Sequence, residues 1–410
     1  MIISMETCLP KLRAVDAQPF ARDGQIYLLL RDPLQLTNKA VTIPYPLAPL
    51  LALCDGTRDS GALCAALGVR FGLRIDLNVM ERLLAAFDEA LLLENDRFAQ
   101  ARERVLAEYR QAPFRSPVSA GRSYPSDADE LRCLLCGYLD AVENDVPHSY
   151  ASDVRGLVSP HIDYARGGPV YAHVWKRAAD AVRAADLAIL LGTDHFGENG
   201  GLTLTRQHYS TPFGVLPTAR EVVGALADAI GAEAAFADEL YHRNEHSIEL
   251  AAVWLHYMRE EQPCEVVPVL CGSFGHFVRG EAGPEHDQTI NALLDTLRRV
   301  TTGRRVLFVA AADLSHVGPA FGGQPLDMGG RAQLQAADGE LVERMCAGDA
   351  EGFFAAVKRD GDRRNVCGLS PIYLTLRALS PARGNQVAYD RCPADQNGTS
   401  LVSICGVLFS

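Results

Sequence analysis

Three short apolar runs in this chain are each followed by a histidine. His161 follows RGLVSP, His195 follows LAILLGTD, and His316 follows RRVLFVAAADLS. Each run has the length and composition of a buried β-strand. In open α/β sheets, ligands bind beyond the carboxyl ends of the strands, so the three histidines are expected at one edge of one sheet.

Strand and helix patterns alternate from about residue 115 to residue 410. The predicted strands are 155–159, 186–192, 265–272, 305–311 and 400–409. The predicted helices are 173–186, 219–231, 245–261, 287–300, 331–348 and 370–379. The two glycines in SPHIDYARGG are interpreted as a sharp turn after the first strand. The alternation indicates an α/β domain with a central sheet flanked by helices.

The first hundred residues have a different pattern. Residues 25–32 are predicted as a strand, and residues 60–72 and 76–95 as helices, the second of them capped by Asp76. Strands with small helices indicate a winged-helix-like α+β domain over residues 1–100. Residues 101–119 are charged and then contain Pro and Ser, so we interpret them as a linker to a domain at 120–410.

Composition excludes several classes of function. The chain has 51 acidic and 39 basic residues, a net charge of -12, so phosphate backbones repel it and nucleic-acid binding is not expected. No apolar stretch is long enough to span a membrane, and no signal peptide is recognised. The 11 cysteines favour reduced thiols in a cytoplasm. Cys133 and Cys136 have CxxC spacing inside a helical pattern, and we interpret them as core residues.

Cys367 is the candidate fourth member of the histidine site. It precedes Gly368 and a predicted helix, and a thiol at a helix N-terminus ionises more readily to the thiolate that binds metal. Two imidazoles with a thiolate or a carboxylate form a metal-binding set. The alternatives are that each histidine is a hydrogen-bonded loop residue and that Cys367 is a small buried apolar residue.

Acidic residues accompany these candidates. Asp194 and Asp313 lie near the predicted strand ends that carry His195 and His316. A further group opens the predicted helix 245–261, in which the two glutamates share one face; it consists of Glu245, His246 and Glu249. These residues are candidates to orient metal ligands or to act as general acids and bases. The alternative is an ordinary solvated helix face.

The order of the motifs resembles the Memo family, also called AmmeMemoRadiSam system protein B. The motifs are SPHIDY, LLGTDHFG, NEHSIEL, VVPVLCG, AADLSHVG, NVCGLSPI and SLVSICGVLF, preceded by AGRSYPSDADELRCLL. The resemblance covers about residues 115–410. The segment LLALCDGTRDSGALCAALGVRFG, followed by a helix ending in LLLEN, resembles PqqD-like modules, which bind peptides or partner proteins.

The resemblance implies a fold and a ligand set. The family's fold is similar to that of class III extradiol dioxygenases, with a mixed central sheet flanked by helices. Its metal, iron or copper, is held by two histidines and a cysteine, which match His161, His195 and Cys367. The neighbouring pocket residues of the family match Glu245, His246, Asp313 and His316.

Two positions depart from the family pattern. Asp163 stands where the family usually has glycine, and we treat it as a further candidate ligand or proton acceptor. A carboxylate ligand favours iron(II) over copper(I), so iron is the preferred metal. Phe196 stands where many members have a second histidine.

We expect a dioxygenase-like, non-haem metal oxidoreductase that acts with a radical-SAM partner in a modification pathway. His246 or His316 would transfer protons, because imidazole changes charge near neutral pH. The N-terminal domain would present a peptide or a partner protein. One alternative is a non-catalytic adaptor for phosphorylated peptides, which the acidic residues disfavour; these are Asp163, Asp194, Glu245, Glu249 and Asp313. The other is a zinc hydrolase, disfavoured because a thiolate lowers the Lewis acidity of zinc.

Overall fold

The chain divides into two compact units, Met1–Gln111 (unit 1) and Ala112–Ser410 (unit 2). The computed structural model describes residues 9–142, 153–197, 200–280 and 282–410. The segment 101–119, interpreted as a linker, is structured. A helix continues through Gln111, and Arg115 beyond it is buried among residues of unit 2.

Unit 1 is an α+β unit with a three-stranded antiparallel sheet in the order β1-β2-β3. Alternate residues of β2, Leu28 and Leu30, face a core that also contains Leu63 and Phe87 of the helices. Asp76 caps α3 as predicted, since its side chain accepts a backbone N–H of the first turn. The winged-helix-like architecture stays a prediction. The elements are β1 (Asp16–Arg22), β2 (Gln25–Arg31), β3 (Ala40–Pro44), α1 (Pro49–Leu53), α2 (Ser60–Phe71), α3 (Leu77–Glu89) and α4 (Asp96–Gln111).

Unit 2 is built on a mixed sheet to which eight strands of the described ranges belong, which confirms the predicted central sheet. These strands are β4 (Gly156–Ser159), β5 (Leu187–Thr193), β6 (Leu202–Leu204), β9 (Glu265–Cys271), β10 (Val306–Ala311), β11 (His316–Val317), β12 (Gly384–Pro393) and β13 (Leu401–Phe409). Their order is β11-β13-β4-β10-β5-β9-β6, with β12 paired to β13. A separate hairpin consists of β7 (Tyr209–Thr211) and β8 (Gly214–Leu216).

Helices cover both faces of the sheet. They are α5 (Ala128–Asp140), α6 (Tyr164–Arg177), α7 (Ala179–Ala184), α8 (Arg220–Ile230), α9 (Ala232–Phe236), α10 (Tyr241–Asn244), α11 (Ser247–Met258), α12 (Gly275–Arg279), α13 (Gln288–Val300), α14 (Met328–Ala347), α15 (Ala350–Arg359) and α16 (Leu369–Leu379). Apolar residues of α8, α13 and α16 pack on one face, and those of α6 and α11 pack on the other. Within the described ranges, no helix is both long and apolar enough to cross a membrane.

The four central strands are parallel, which positions the candidate site. Strand β10 is parallel to both β4 and β5, and β5 is parallel to β9. All seven residues of β5 are buried, as expected for a strand covered on both faces. The carboxyl ends of these strands therefore finish side by side at one edge of the sheet.

Two local interpretations were wrong. Gly167 and Gly168 lie inside α6 instead of in a turn, and a Cβ atom on Gly167 would come 2.5 Å from Cγ2 of Ile162. Because these glycines have no side chain, neighbouring residues can pack closely against α6. Cys133 and Cys136 are exposed and not core residues, because α5 turns a different side towards the core.

Gly192 of β5 lies directly against the start of α11, and we expect Gly192→Ala to destabilise unit 2. A Cβ atom there would lie 2.5 Å from Cγ1 of Ile248 and 2.6 Å from Oγ of Ser247. Overpacking of this kind costs about 1–3 kcal/mol in the free energy of unfolding, measurable by urea denaturation. The control is Gly339→Ala in α14, where a Cβ atom meets nothing within 4 Å and helix stability rises by about 0.5–1 kcal/mol. Equal stability of the two variants would contradict this account.

Candidate metal centre

Three neighbouring strands deliver polar side chains to one place. The chain leaves β4 and reaches His161, leaves β5 and reaches Asp194 and His195, and leaves β10 just ahead of Asp313. Because β10 lies between β4 and β5 and is parallel to both, these residues meet beyond the carboxyl edge of the sheet.

Cys367 reaches the same place from the loop that precedes α16. Its Sγ lies 3.4 Å from Nε2 of His161, and the ligand atoms of His161, His195 and Cys367 all lie within 4.8 Å of one another. Donors bonded to one ion at about 2.0–2.3 Å each are separated by roughly 3–4.5 Å. Gly368 allows this approach, because a Cβ atom there would overlap the backbone oxygen of Asp313. The three donors are therefore close to the spacing that a single ion requires.

Backbone and carboxylate groups fix the orientation of His161. Its ring Nδ1 donates to the carbonyl oxygen of Ala311 at 3.0 Å. Its backbone N–H donates to Oδ1 of Asp313 at 2.9 Å, and the residue is buried. Since Nδ1 is held as a donor, Nε2 is the nitrogen available to a metal, and it faces Cys367.

Glu245 orients His195 in the same way. Nδ1 of His195 lies 3.1 Å from Oε1 and 3.0 Å from Oε2 of the Glu245 carboxylate. The carboxylate also accepts the backbone N–H groups of His195, His246 and Ser247 at distances of 3.0, 2.7 and 2.9 Å. Glu245 is only 1% exposed. A buried carboxylate with this many donors holds a fixed position, so His195 also presents Nε2 to the site.

His246 covers the outer side of His195. The two rings are stacked, with centroids 4.8 Å apart and 18° between their planes, and Nδ1 of His246 lies 3.0 Å from Oε1 of Glu245. The ligand atoms of His195, Glu245 and His246 form a second group within 4.8 Å. The His246 side chain is 41% exposed, so solvent reaches this side of the site.

Comparison with known proteins identifies the family. The family model described as Memo-like protein matches residues 115–407, almost all of unit 2. This chain belongs to the Memo-like family. It is similar to a MEMO1 family protein of Aquifex aeolicus, at 26% identity over 98% of this chain and 99% of that protein. A MEMO1 family protein of Methanococcoides burtonii is 28% identical over 70% of this chain and 97% of its own length. The alignment with the Aquifex protein therefore spans the residues of both units.

Charges in the Memo-like site favour ionisation of Cys367. Burial opposes ionisation of this thiol, but the charges of His161 and His316 outweigh burial and lower its pKa to about 5. Burial likewise opposes a charge on His161, yet Asp313 and Cys367 raise the pKa of its imidazole to about 9. Without metal, the site therefore holds a thiolate beside an imidazolium. The direction of this pKa shift agrees with the prediction, but its cause is the neighbouring histidines and not the helix N-terminus on which the prediction rested.

The Glu245–His195 pair is ionised for a similar reason. Burial opposes a charge on Glu245, but the charge and hydrogen bond of His195 and the contact with His246 hold the pKa of the carboxyl well below its usual range. Burial also opposes a charge on His195, but Glu245 and Cys367 raise the pKa of that ring. The carboxylate therefore stays a hydrogen-bond acceptor throughout the neutral range.

His316 lies at the border of the site, on the short strand β11. Its Nδ1 donates to the carbonyl oxygen of Leu314 at 3.2 Å, and its ring meets that of Phe321 edge to face, with centroids 5.0 Å apart. His316 is partly exposed. Its charge contributes to the lowered pKa of Cys367, but His316 is not among the described residues that group as candidate ligands.

Asp163 and Asp194 are engaged in local structure. Asp163 caps α6 by accepting the backbone N–H of Arg166, and it pairs with the Arg166 guanidinium at 2.6 Å. Oδ1 of Asp194 accepts the backbone N–H groups of Phe196 and Gly197 at 2.9 and 2.8 Å. Burial, and then the nearby Glu245, raise the pKa of Asp194 to about 6. Within the described ranges, neither aspartate joins a group of candidate ligands.

Glu245 and Glu249 do not share a helix face. Helix α11 begins at Ser247, so Glu245 lies in the turn before it. Glu249, within the helix, points elsewhere and binds Arg115 and the hydroxyl of Tyr124. The sequence spacing was misleading because the helix starts two residues later than predicted from the pattern.

A cavity of about 240 Å³ borders His195 and Cys367. One wall is the loop that leads to Cys367, and it contributes Asp362 and Asn365, which the sequence analysis missed. Both have left-handed backbone conformations, with φ angles of 53° and 49°. Asp and Asn adopt this conformation more readily than other non-glycine residues, and the GDRRNVCG segment contains both. The cavity therefore lies directly beside two of the candidate ligands.

The low pKa of Cys367 predicts how its alkylation depends on pH. In metal-free protein, the rate of reaction with iodoacetamide should stay nearly constant from pH 8 to about pH 6. It should fall about tenfold per pH unit below about pH 5, because only the thiolate reacts. Peptide mass spectrometry separates this reaction from that of exposed Cys136, whose pKa is raised by Asp140. Labelling of Cys367 that begins only above about pH 8 would contradict the thiolate–imidazolium pair.

Proposed function

We propose that this Memo-like protein is a dioxygenase-like metal oxidoreductase that holds iron or copper through His161, His195 and Cys367. One observation carries the proposal. Two imidazoles with their Nδ1 atoms already engaged, and one readily ionised thiol, have their free donor atoms within 4.8 Å of one another. Such an arrangement is typical of metal ligands oriented by outer hydrogen bonds.

The donor set fits a transition metal. Thiolate and imidazole suit iron, copper and zinc, whereas magnesium and calcium prefer oxygen donors. The preference for iron depended on Asp163 as a carboxylate ligand. Asp163 is instead paired with Arg166, so iron and copper both fit the site.

The surrounding residues have separate tasks in this proposal. A redox-active ion with three protein ligands supplies electron transfer and open coordination positions for a small molecule. Glu245 keeps His195 oriented, and Asp313 holds the backbone of His161. His246 and His316 have the role of general acids and bases in this proposal, since both are partly exposed at the border of the site.

The charge of the site favours this proposal over an adaptor for phosphorylated peptides. Glu245 and Asp313 adjoin the candidate ligands, and Asp194 and Asp362 line the neighbouring cavity. Among the described residues that line this cavity, there is no Lys or Arg. Phosphate groups are usually bound by arginine or lysine, so an anionic ligand is disfavoured here.

Removal of a ligand should strongly weaken metal binding. After anaerobic reconstitution with iron(II), wild-type protein should retain about one equivalent of metal, measured by mass spectrometry of the metal. Cys367→Ser and His195→Ala should each lower the affinity by more than the 10–100-fold that loss of an outer hydrogen-bond partner costs. Asp163→Asn is the control and should bind like wild type.

Two outcomes would overturn the proposal. Full occupancy in both ligand variants would show that the metal binds elsewhere. One equivalent of zinc in protein purified without added metal, with no iron or copper, would favour the hydrolase alternative.

We also propose that unit 1 binds a protein partner, namely a radical-SAM protein that acts in the same modification pathway. Of the large apolar side chains that are exposed in the described part of the chain, all but Met328 belong to unit 1. They are Leu9, Phe20, Ile26, Tyr45, Val69, Phe71, Leu77 and Val79. A concentration of exposed apolar residues is typical of interaction surfaces.

Charged substitutions on unit 1 should weaken this association. We expect Ile26→Lys and Val69→Glu to lower the affinity for the purified radical-SAM protein by about tenfold or more, which corresponds to about 1.4 kcal/mol. Isothermal titration calorimetry gives the dissociation constants. Met328→Glu is the matched control, because Met328 is 89% exposed and lies in unit 2. Equal affinities for all three variants would rule out unit 1 as the binding surface.

A further inference from the structure

Arg115 is a buried cation that the sequence analysis had assigned to a linker. It is 1% exposed, and its backbone is fixed on both sides, since its N–H donates to His208 and its carbonyl oxygen accepts from Ser210. The guanidinium forms an ion pair with the carboxylate of Glu249. Arg115 thus has a fixed backbone and a fixed counter-charge, and its remaining donors point to a third partner.

That third partner is the backbone of residues 242–247, the turn that runs from α10 into the start of α11. Nε of Arg115 donates to the carbonyl oxygen of His242 at 2.8 Å, and Nη2 donates to the carbonyl oxygen of Glu245 at 2.6 Å. Carbonyl groups at the end of a helix lack partners within the helix. The planar guanidinium can bind both carbonyl groups, because its N–H donors point in different directions within one rigid plane.

Both the backbone and the side-chain carboxylate of Glu245 are therefore held in place. Arg115 binds its backbone carbonyl, while its carboxylate accepts Nδ1 of His195 and the backbone N–H groups of His246 and Ser247. A shift of this turn would move the carboxylate relative to His195. The chain of contacts runs from Arg115 to the Glu245 backbone, then to its carboxylate, and then to His195.

We propose that Arg115 is a positioning residue for the metal centre. It fixes the turn that carries Glu245 and thereby fixes the orientation of His195, and it acts on the ligands through the backbone of Glu245. This inference rests on the proposed metal site for its functional meaning. The contacts of Arg115 with the turn are independent of any metal.

The informative variant is Arg115→Lys. Lysine keeps a positive charge opposite buried Glu249, but it cannot reproduce the divergent hydrogen bonds to His242 and Glu245. The matched control is Tyr124→Phe, which removes a 2.6 Å hydrogen bond to Oε1 of Glu249 and leaves the contacts of Arg115 with the turn in place. If Arg115→Lys does not fold, the double variant Arg115→Met/Glu249→Leu removes the buried ion pair as a unit.

Two measurements test the proposal on full-length protein. The first is amide hydrogen exchange of residues 242–247 in metal-free protein. The second is the affinity and absorption spectrum of cobalt(II), used as a probe of the ligand set. We expect Arg115→Lys to speed exchange in the turn about tenfold or more and to weaken cobalt binding about tenfold, the lower end of the effect of outer-shell partners. Tyr124→Phe should change neither.

Each result has a distinct meaning. Unchanged exchange in Arg115→Lys would show that Arg115 does not hold the turn, and it would overturn the proposal. Faster exchange with an unchanged cobalt affinity and spectrum would reduce Arg115 to a purely structural residue, which would also overturn it. If wild-type protein binds no cobalt and no iron, the proposed function fails, whereas the exchange result still decides whether Arg115 fixes the turn.

Discussion

The parallel register of β4, β10 and β5 is the constraint on which the candidate site depends. Ala311 at the end of β10 pairs with Ser159 of β4 and with Gly192 of β5. Because the three strands end at the same level, the residues that follow them emerge side by side. A slip of one strand would turn its buried side chains to the other face and carry His161 or His195 away from the edge.

Buried charge is the second determinant of the site. Four ionised groups lie close together at the edge of the sheet: Cys367, His161, Glu245 and His195. Each alone would be strongly destabilised by burial, and only mutual pairing with hydrogen bonds to the backbone makes the arrangement stable. A cation bound between the thiolate and the imidazoles would offset part of the cost of burying the thiolate. This explains how the fold keeps a thiolate in a partly buried place.

A second buried pair of opposite charges lies next to the site. Arg115 and Glu249 form a buried pair whose remaining donors and acceptors are used by nearby backbone groups and by Tyr124. This pair ties the segment after α4 to the turn that carries Glu245. The segment interpreted as a linker from its composition is therefore part of the support of the site, since a buried arginine in a polar, proline-containing segment cannot be recognised from local pattern alone.

The sequence by itself determined the central strands, because their apolar runs are uninterrupted, and the family, because its motifs occur in order along the chain. It also identified the histidines and Cys367 as candidate site residues, because the histidines follow recognisable strands and Cys367 precedes a recognisable helix. Only the tertiary structure decided the tasks of the acidic residues. Asp163 caps a helix, Glu249 binds Arg115, and Glu245 alone of these faces His195. The role of each carboxylate depends on the hydrogen-bond donors that surround it. Those donors come from segments far apart in the sequence.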